Sequence, residues 1–165
     1  MMRLAMSLLL TLAALLSSGC DERRAAKLEE GVSTEADVRA QFGEPPQVVE
    51  KADGSKVLHY PRQPEGWTNY QAVIGADGKL ASLRQLLTPA NFDQVQPGMT
   101  QEQVRTLLGR HAGTQRYAMK PDEEVWSWRF VDGQEKKVFE VTFDRERKVL
   151  STAIAREPMR GDVGG

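Results

Sequence analysis

Along this chain the spacing of apolar residues alternates between a helical period and a strand period. In the clearer helical stretch, Val104 and Leu108 lie four positions apart, which puts them on one face of a helix. Thr100 can cap the N-terminus of this helix, and Gln103 can complete a capping box with it. Gly109 can end the helix, because glycine adopts the left-handed backbone conformation without steric cost. The pattern therefore predicts a short capped helix between residues 100 and 109.

A weaker copy of this pattern lies 66 positions earlier. Residues 31–43 read GVSTEADVRAQFG, and residues 97–109 read PGMTQEQVRTLLG. Val38 and Phe42 form the apolar face of the earlier helix. An internal duplication means that one small unit was built twice. The identities at the constant offset are Thr34, Val38, Arg39 and Gly43.

A shorter helix is predicted before each capped one. In the second copy it runs from Pro89 to Gln94, since proline is favoured in the first turn. Phe92 and Val95 share its inner face. In the first copy the corresponding helix lies within Asp21–Glu30.

After each pair of helices the apolar period becomes two, which is the strand signal. Trp126, Trp128 and Phe130 alternate with polar residues, and a core role is favoured for them over ligand binding. Three Asp-Gly pairs, beginning at residues 53, 77 and 132, are typical of hairpin turns. The predicted strands are Val48–Lys51, Ser55–Tyr60, Asn69–Ile74, Lys79–Leu87, Trp126–Phe130, Phe139–Phe143 and Val149–Ala155.

The predicted fold class is α+β. Two tandem repeats each contain two short helices packed on a three- to four-stranded antiparallel sheet. The predicted domains are a signal peptide at 1–19, repeat 1 at 20–88, repeat 2 at 89–157 and a disordered tail at 158–165. The predicted core includes Val38, Phe42, Val104, Leu108, Trp128 and Val141.

The N-terminal segment has the pattern of a lipoprotein signal peptide. An apolar run from Leu4 to Leu16 follows Arg3 and is too short to span a bilayer. The sequence Leu16-Ser17-Ser18-Gly19-Cys20 resembles a bacterial lipobox, although Ser17 stands where an aliphatic residue is usual. Because Cys20 is the only cysteine, it cannot form an internal disulfide. We therefore predict that Cys20 is the lipid attachment site, and the alternative is a chance free thiol.

No catalytic or metal-binding pattern is present in the sequence. His59 and His111 have no metal-ligand partner at a recognisable spacing. The acidic run at 122–124 could hold a cation weakly, but a solvated charged surface is favoured. The net charge of −1 gives no electrostatic reason to expect a nucleic acid partner. The sequence predicts no enzyme activity, no cofactor and no bound metal.

One loop has the composition of a binding surface. Residues 61–68 join two predicted strands and include two prolines, Arg62 and Trp67. Arginine and aromatic side chains dominate binding hot spots. We therefore predict Arg62 and Trp67 as partner-binding residues. The alternative is that Trp67 folds back onto the sheet, because large aromatic side chains are mostly buried.

The sequence resembles the outer-membrane assembly lipoproteins named BamE, SmpA or OmlA. The resemblance rests on Gly98-Met99-Thr100, Val104 and Leu108-Gly109, followed by aromatic-rich strands, and it is stronger over 92–155 than over 28–87. Residues 62–66 also resemble the loop between the first two sheet strands of that family. The best-known members have one copy of the unit, whereas this chain has two.

The resemblance implies a non-enzymatic, periplasm-facing lipoprotein that binds envelope proteins and takes part in outer-membrane protein assembly. The implied partners are the barrel-assembly machinery and the membrane that holds the lipid anchor. The outer membrane is favoured by the family, but Asp21 after the cysteine is an inner-membrane signal in enteric bacteria. Tandem copies also resemble the β-lactamase inhibitor protein, so the alternative is a binder or inhibitor of another periplasmic protein.

Overall fold

The computed structural model describes residues 20–157. The predicted signal peptide at 1–19 and the predicted tail at 158–165 lie outside the described residues. The chain folds into two four-stranded antiparallel sheets, each preceded by short helices. The predicted α+β class and the tandem arrangement of helices and sheets are confirmed.

Each repeat follows the same order of elements. The first contains α1 (Cys20–Ala25), α2 (Glu35–Phe42), β1 (Gln47–Glu50), β2 (Lys56–Pro61), β3 (Asn69–Ile74) and β4 (Leu80–Gln85). The second contains α3 (Pro89–Phe92), α4 (Gln101–Leu108), β5 (Gly113–Tyr117), β6 (Lys120–Asp132), β7 (Glu135–Phe143) and β8 (Val149–Arg156). Both sheets have their strands in sequence order, β1-β2-β3-β4 and β5-β6-β7-β8.

The longer helix of each repeat begins at the predicted cap. Thr100 accepts a hydrogen bond from the Gln103 N–H, and the Gln103 side chain accepts one from the Thr100 N–H at 2.9 Å. Thr34 and Asp37 form the same reciprocal pair at α2. Since each cap satisfies two backbone donors, both helices start at a fixed residue.

The core of the second repeat lies between its helices and one face of its sheet. The register places Trp126 opposite Val141 and Trp128 opposite Phe139, so these four side chains share a face. Phe92 from α3 stacks on Phe139 with ring centres 4.2 Å apart. The predicted core residues are all buried, and this prediction is confirmed for Val38, Phe42, Val104, Leu108, Trp128 and Val141.

Some bounds differ from the prediction. Strand β5 was not predicted, because most of its residues are exposed and its sequence has no apolar alternation. Strand β6 begins at Lys120 rather than Trp126, since backbone pairing with β5 extends it through a polar stretch. Helix α1 ends at Ala25, before the predicted end at Glu30, because its few apolar residues give it little face to bury.

The described chain divides into two compact units. One comprises residues 20–58 and 72–83, and the other comprises 59–71 and 84–157. The end of the β2–β3 hairpin therefore belongs to the same unit as the second repeat. The repeat bounds at 20–88 and 89–157 stay a prediction from the sequence pattern.

Candidate protein-binding surface

The loop at 61–68 is anchored to the second sheet by a buried amide. Gln63 is 2% exposed. Its Nε2 donates to the carbonyl oxygens of Arg129 at 2.8 Å and Gly66 at 3.1 Å, and its Oε1 accepts from the Arg129 N–H at 3.2 Å. Strand β5 begins at Gly113, opposite Ser127, so it does not reach Arg129. The Gln63 amide therefore occupies the position of a missing strand at this edge of β6.

A second buried amide holds the other end of the loop. Asn69 is 1% exposed, and its Nδ2 donates to the carbonyl oxygens of Leu108 and Arg110, both at 2.8 Å. Its Oδ1 accepts from the Arg62 N–H at 3.2 Å. Carbonyls at the end of a helix have no partner within the helix. Asn69 supplies one to the C-terminus of α4 and fixes the loop there.

Trp67 lies against charged side chains of the second sheet. The guanidinium carbon of Arg129 is 3.9 Å from the centre of the Trp67 ring, and the Lys136 Nζ is 4.9 Å away. Arg129 also donates to the Pro64 carbonyl at 2.7 Å and forms an ion pair with Glu157. The ring is partly exposed, so Trp67 contacts the sheet and still reaches solvent.

Arg62 lies on the same loop, and its side chain is partly exposed. Its N–H donates to the Thr68 carbonyl at 3.0 Å, which closes the loop. A Cβ at Gly66 would lie 2.6 Å from the Cβ of Arg62, so the loop passes back over itself where only glycine fits. We call residues 61–68 together with Arg129 and Lys136 the loop platform. Both predicted partner-binding residues lie in this loop and are partly exposed.

His59 lies in β2, and His111 lies between α4 and β5. Burial lowers the pKa of His59 in β2. Burial also lowers the pKa of His111, with Arg105 adding to the effect. His111 stacks on Trp126 with ring centres 4.3 Å apart, and its Nε2 lies 3.1 Å from the Thr114 hydroxyl. Within residues 20–157 no three metal-ligating side chains come together.

The acidic residues 122–124 of β6 form ion pairs with basic side chains. Asp122 pairs with Arg145 at 2.8 Å and Glu123 with Lys120 at 3.1 Å. Glu124 lies 3.6 Å from Arg116. These are surface ion pairs, in keeping with the charged surface favoured by the sequence.

Cys20 is the first residue of α1, and its side chain is outside the described part of the structure. Asp21, which follows it, pairs with Arg24 at 3.0 Å. From residue 20 to residue 157, no helix has the length and apolarity needed to cross a membrane. Lipid attachment at Cys20 stays a prediction.

The sequence pattern did not indicate Gln63, Asn69 or Arg129. Each acts through a contact with a residue far away in the chain, and Gln63 and Arg129 are 66 positions apart. Contacts of this kind leave no local pattern in the sequence.

Residues 85–153 match the family model described as the outer membrane protein assembly factor BamE domain. The resemblance found in the sequence is confirmed over this segment. No curated protein matches the chain.

Three solved structures show limited likeness. A putative osmotically inducible lipoprotein, OsmE, is 29% identical over 38% of this chain and 64% of its own, with a TM-score of 0.34. The DUF4309 family protein YjgB from Bacillus subtilis is 19% identical over 79% of this chain and 82% of its own, with a TM-score of 0.31. An extracellular protein with an SCP domain from Bacillus anthracis is 11% identical over 83% of this chain and 52% of its own, with a TM-score of 0.30. The chain thus spans 64% of the length of the OsmE structure.

Proposed function

We propose that this protein is a non-enzymatic lipoprotein of the cell envelope that binds proteins of the outer-membrane assembly machinery. The observation that carries the proposal is the match of residues 85–153 to the BamE assembly-factor domain. The matched segment contains α4, the aromatic core strands and Arg129, on which the loop platform is built.

The loop platform is the proposed contact surface. Gln63 and Asn69 hold the loop at both ends, so little chain entropy remains to be lost when a partner binds. Trp67 and Arg62 provide an aromatic ring and a guanidinium, the groups that contribute most to protein interfaces. Lys136 adds positive charge beside the ring, and Arg129, which is paired with Glu157, stacks on it. We propose Arg62 and Trp67 as its anchors.

The proposed location is the periplasmic face of the outer membrane, with the chain held by a lipid on Cys20. The lone cysteine at the end of the lipobox-like sequence supports this anchor. Asp21 favours the inner membrane under the enteric sorting signal, so membrane fractionation decides between the two membranes.

Cys20→Ser is expected to prevent lipid attachment and leave an uncleaved or soluble protein. The reason is that the thiol is the group that receives the lipid. Fractionation followed by mass spectrometry of the intact protein measures both effects. An unmodified, soluble mature chain in the wild type would contradict lipid attachment.

Arg62→Ala and Trp67→Ala are each expected to reduce recovery of barrel-assembly subunits by about tenfold, the effect of losing one hot-spot residue. Recovery is measured by pull-down from mildly solubilised membranes. Arg84→Ala is the matched control, because Arg84 is an exposed arginine of β4 outside the loop.

The melting temperature of each variant separates contact from packing. A contact residue lowers recovery while the melting temperature changes little. If Trp67→Ala unfolds the protein and Arg62→Ala leaves recovery intact, the loop is structural. Recovery of a soluble periplasmic protein instead of assembly subunits would favour the inhibitor-like alternative.

A further inference from the structure

Strand β8 is an open edge of the second sheet. It is the last strand in the order β5-β6-β7-β8, and its residues from Leu150 to Arg156 are all exposed. Among residues 20–157, backbone bonds on its outer side are made by its first residue alone, where Val149 exchanges bonds with Gly98 and Met99, both at 2.8 Å. An unpaired strand edge is a ready template for another strand.

The register identifies which backbone groups point outward. The Glu157 N–H donates to the Lys136 carbonyl at 3.1 Å, which makes these two residues a hydrogen-bonded pair. In an antiparallel ladder, hydrogen-bonded residue pairs alternate with pairs that are not hydrogen-bonded. Thr152, Ile154 and Arg156 therefore direct their N–H and C=O groups away from β7, toward the open edge.

The same residues leave part of the core face uncovered. Ile154 lies opposite Phe139 and Thr152 lies opposite Val141, and both β7 residues are buried in the core. Ile154 is nevertheless 54% exposed. A strand added to β8 would place alternate side chains beside Ile154 and extend the core face by one strand.

The first repeat closes the equivalent edge. Leu80 of β4 exchanges backbone bonds with Gly31 and Ser33, as Val149 does in the second repeat. Three residues further on, the Leu83 N–H donates to the Glu30 carboxylate at 2.8 Å. The corresponding N–H in β8 belongs to Thr152, and among residues 20–157 it makes no backbone hydrogen bond outside the sheet. Within the described residues, the acidic side chain that protects this edge is thus a feature of the first copy.

The charges around β8 indicate what kind of strand fits. Residues 149–155 contain no charged side chain. Glu146, Arg147 and Lys148 precede them, and Arg156 and Glu157 follow, with Glu157 paired to Arg129, so the net charge at each end is positive or neutralised by pairing. Arg156 also pairs with Glu135 at 3.1 Å, but this pair is exposed and weak. A second copy of β8 in antiparallel pairing would bring Arg156 near the other copy's Lys148, and like charges oppose this arrangement.

We propose that the open edge of β8 binds an extended segment of another protein by strand addition. The segment has β-branched residues at alternate positions and acidic residues at both ends. Backbone hydrogen bonds supply the affinity, and Ile154 and the flanking cations select the sequence. The open edge is a second surface in addition to the loop platform, and its binding does not depend on that platform.

The test uses the full-length protein in mild detergent and two fluorescent peptides. Each peptide alternates threonine and valine, and paired glutamates flank one whereas paired lysines flank the other. We expect the glutamate-flanked peptide to bind about tenfold more tightly, measured by fluorescence anisotropy. Amide resonances of residues 152, 154 and 156 should shift on its addition.

Thr152→Pro is expected to weaken this binding about tenfold, because it removes an outward N–H that the β7 ladder does not use. Thr152→Val is the matched control, since it keeps the N–H and the preference for strand structure, and it should bind as the wild type does. If circular dichroism shows that Thr152→Pro disturbs the fold, peptide binding by Ile154→Glu is compared with peptide binding by Ile154→Gln. The added carboxylate should repel the acidic peptide, and the neutral side chain should not.

Several results would overturn strand addition at β8. In the first two, the glutamate-flanked peptide fails to bind, or both peptides bind equally well. In the others, only the amide resonances of other residues shift, or Thr152→Pro binds the peptide as tightly as the wild type does. Self-association of the wild type that Ile154→Glu abolishes would assign the edge to a second copy instead. None of these results bears on recovery of assembly subunits through Arg62 and Trp67.

Discussion

Leu108→Ala is expected to lower the free energy of unfolding by about 2–5 kcal/mol, the range measured for deleting a fully buried leucine side chain. Leu108 is 0% exposed and packs in the core of the second repeat with Val104 and Trp128. Alanine would leave a cavity there, because close-packed neighbours relax only in part. Denaturant unfolding followed by tryptophan fluorescence measures the change.

Leu150→Ala is the control for this measurement. Leu150 is 46% exposed on β8, so its truncation should change stability by about 0.5 kcal/mol or less. A loss well under 1 kcal/mol for Leu108→Ala would mean that the inner face of α4 is wrongly assigned.

Asn69→Ala is expected to lower the free energy of unfolding by about 1–3 kcal/mol for each carbonyl left without a partner. The Asn69 side chain is buried and donates to the Leu108 and Arg110 carbonyl oxygens, and alanine has no donor to replace it. Thermal and denaturant unfolding measure the loss. Gln94→Ala removes a similar amide–carbonyl bond to Ala90 on the exposed surface and should have little effect.

Asn69→Asp tests the same contact through its pH dependence. The new carboxylate would face two carbonyl oxygens, so folding would raise its pKa above the unfolded value. Stability should then be greatest below the unfolded pKa, and it should fall as the pH rises from the unfolded pKa through the raised folded pKa. Stability independent of pH would show that the two carbonyls are not held against this side chain.

Local signals in the sequence were sufficient for the two capped helices, α2 and α4. The caps at Thr34 and Thr100 depend on residues three positions away, and the core strands show their buried face by alternation. Strand β5 gives no such signal, because an exposed edge strand is stabilised by backbone pairing with β6 rather than by buried side chains.

The anchors of the loop platform required the folded chain. Gln63 is a polar residue of the predicted surface loop, and Asn69 begins the next predicted strand. Each side chain is buried and donates to the backbone of a residue far away in the chain. Trp67 and Arg62 could be selected by residue type alone. Arg129 and Lys136, which lie over the tryptophan ring, come from β6 and β7, and the sequence near residue 67 gives no indication of them.

The grouping of residues 59–71 with the second repeat bears on how the duplication can have evolved. After a tandem duplication, either copy can at first be lost by recombination without harm to the other. Here a gene encoding residues 84–157 alone would lack the amide that satisfies the end of α4 and the amide that occupies the edge of β6. A chain that returned to one repeat would therefore have to replace both contacts.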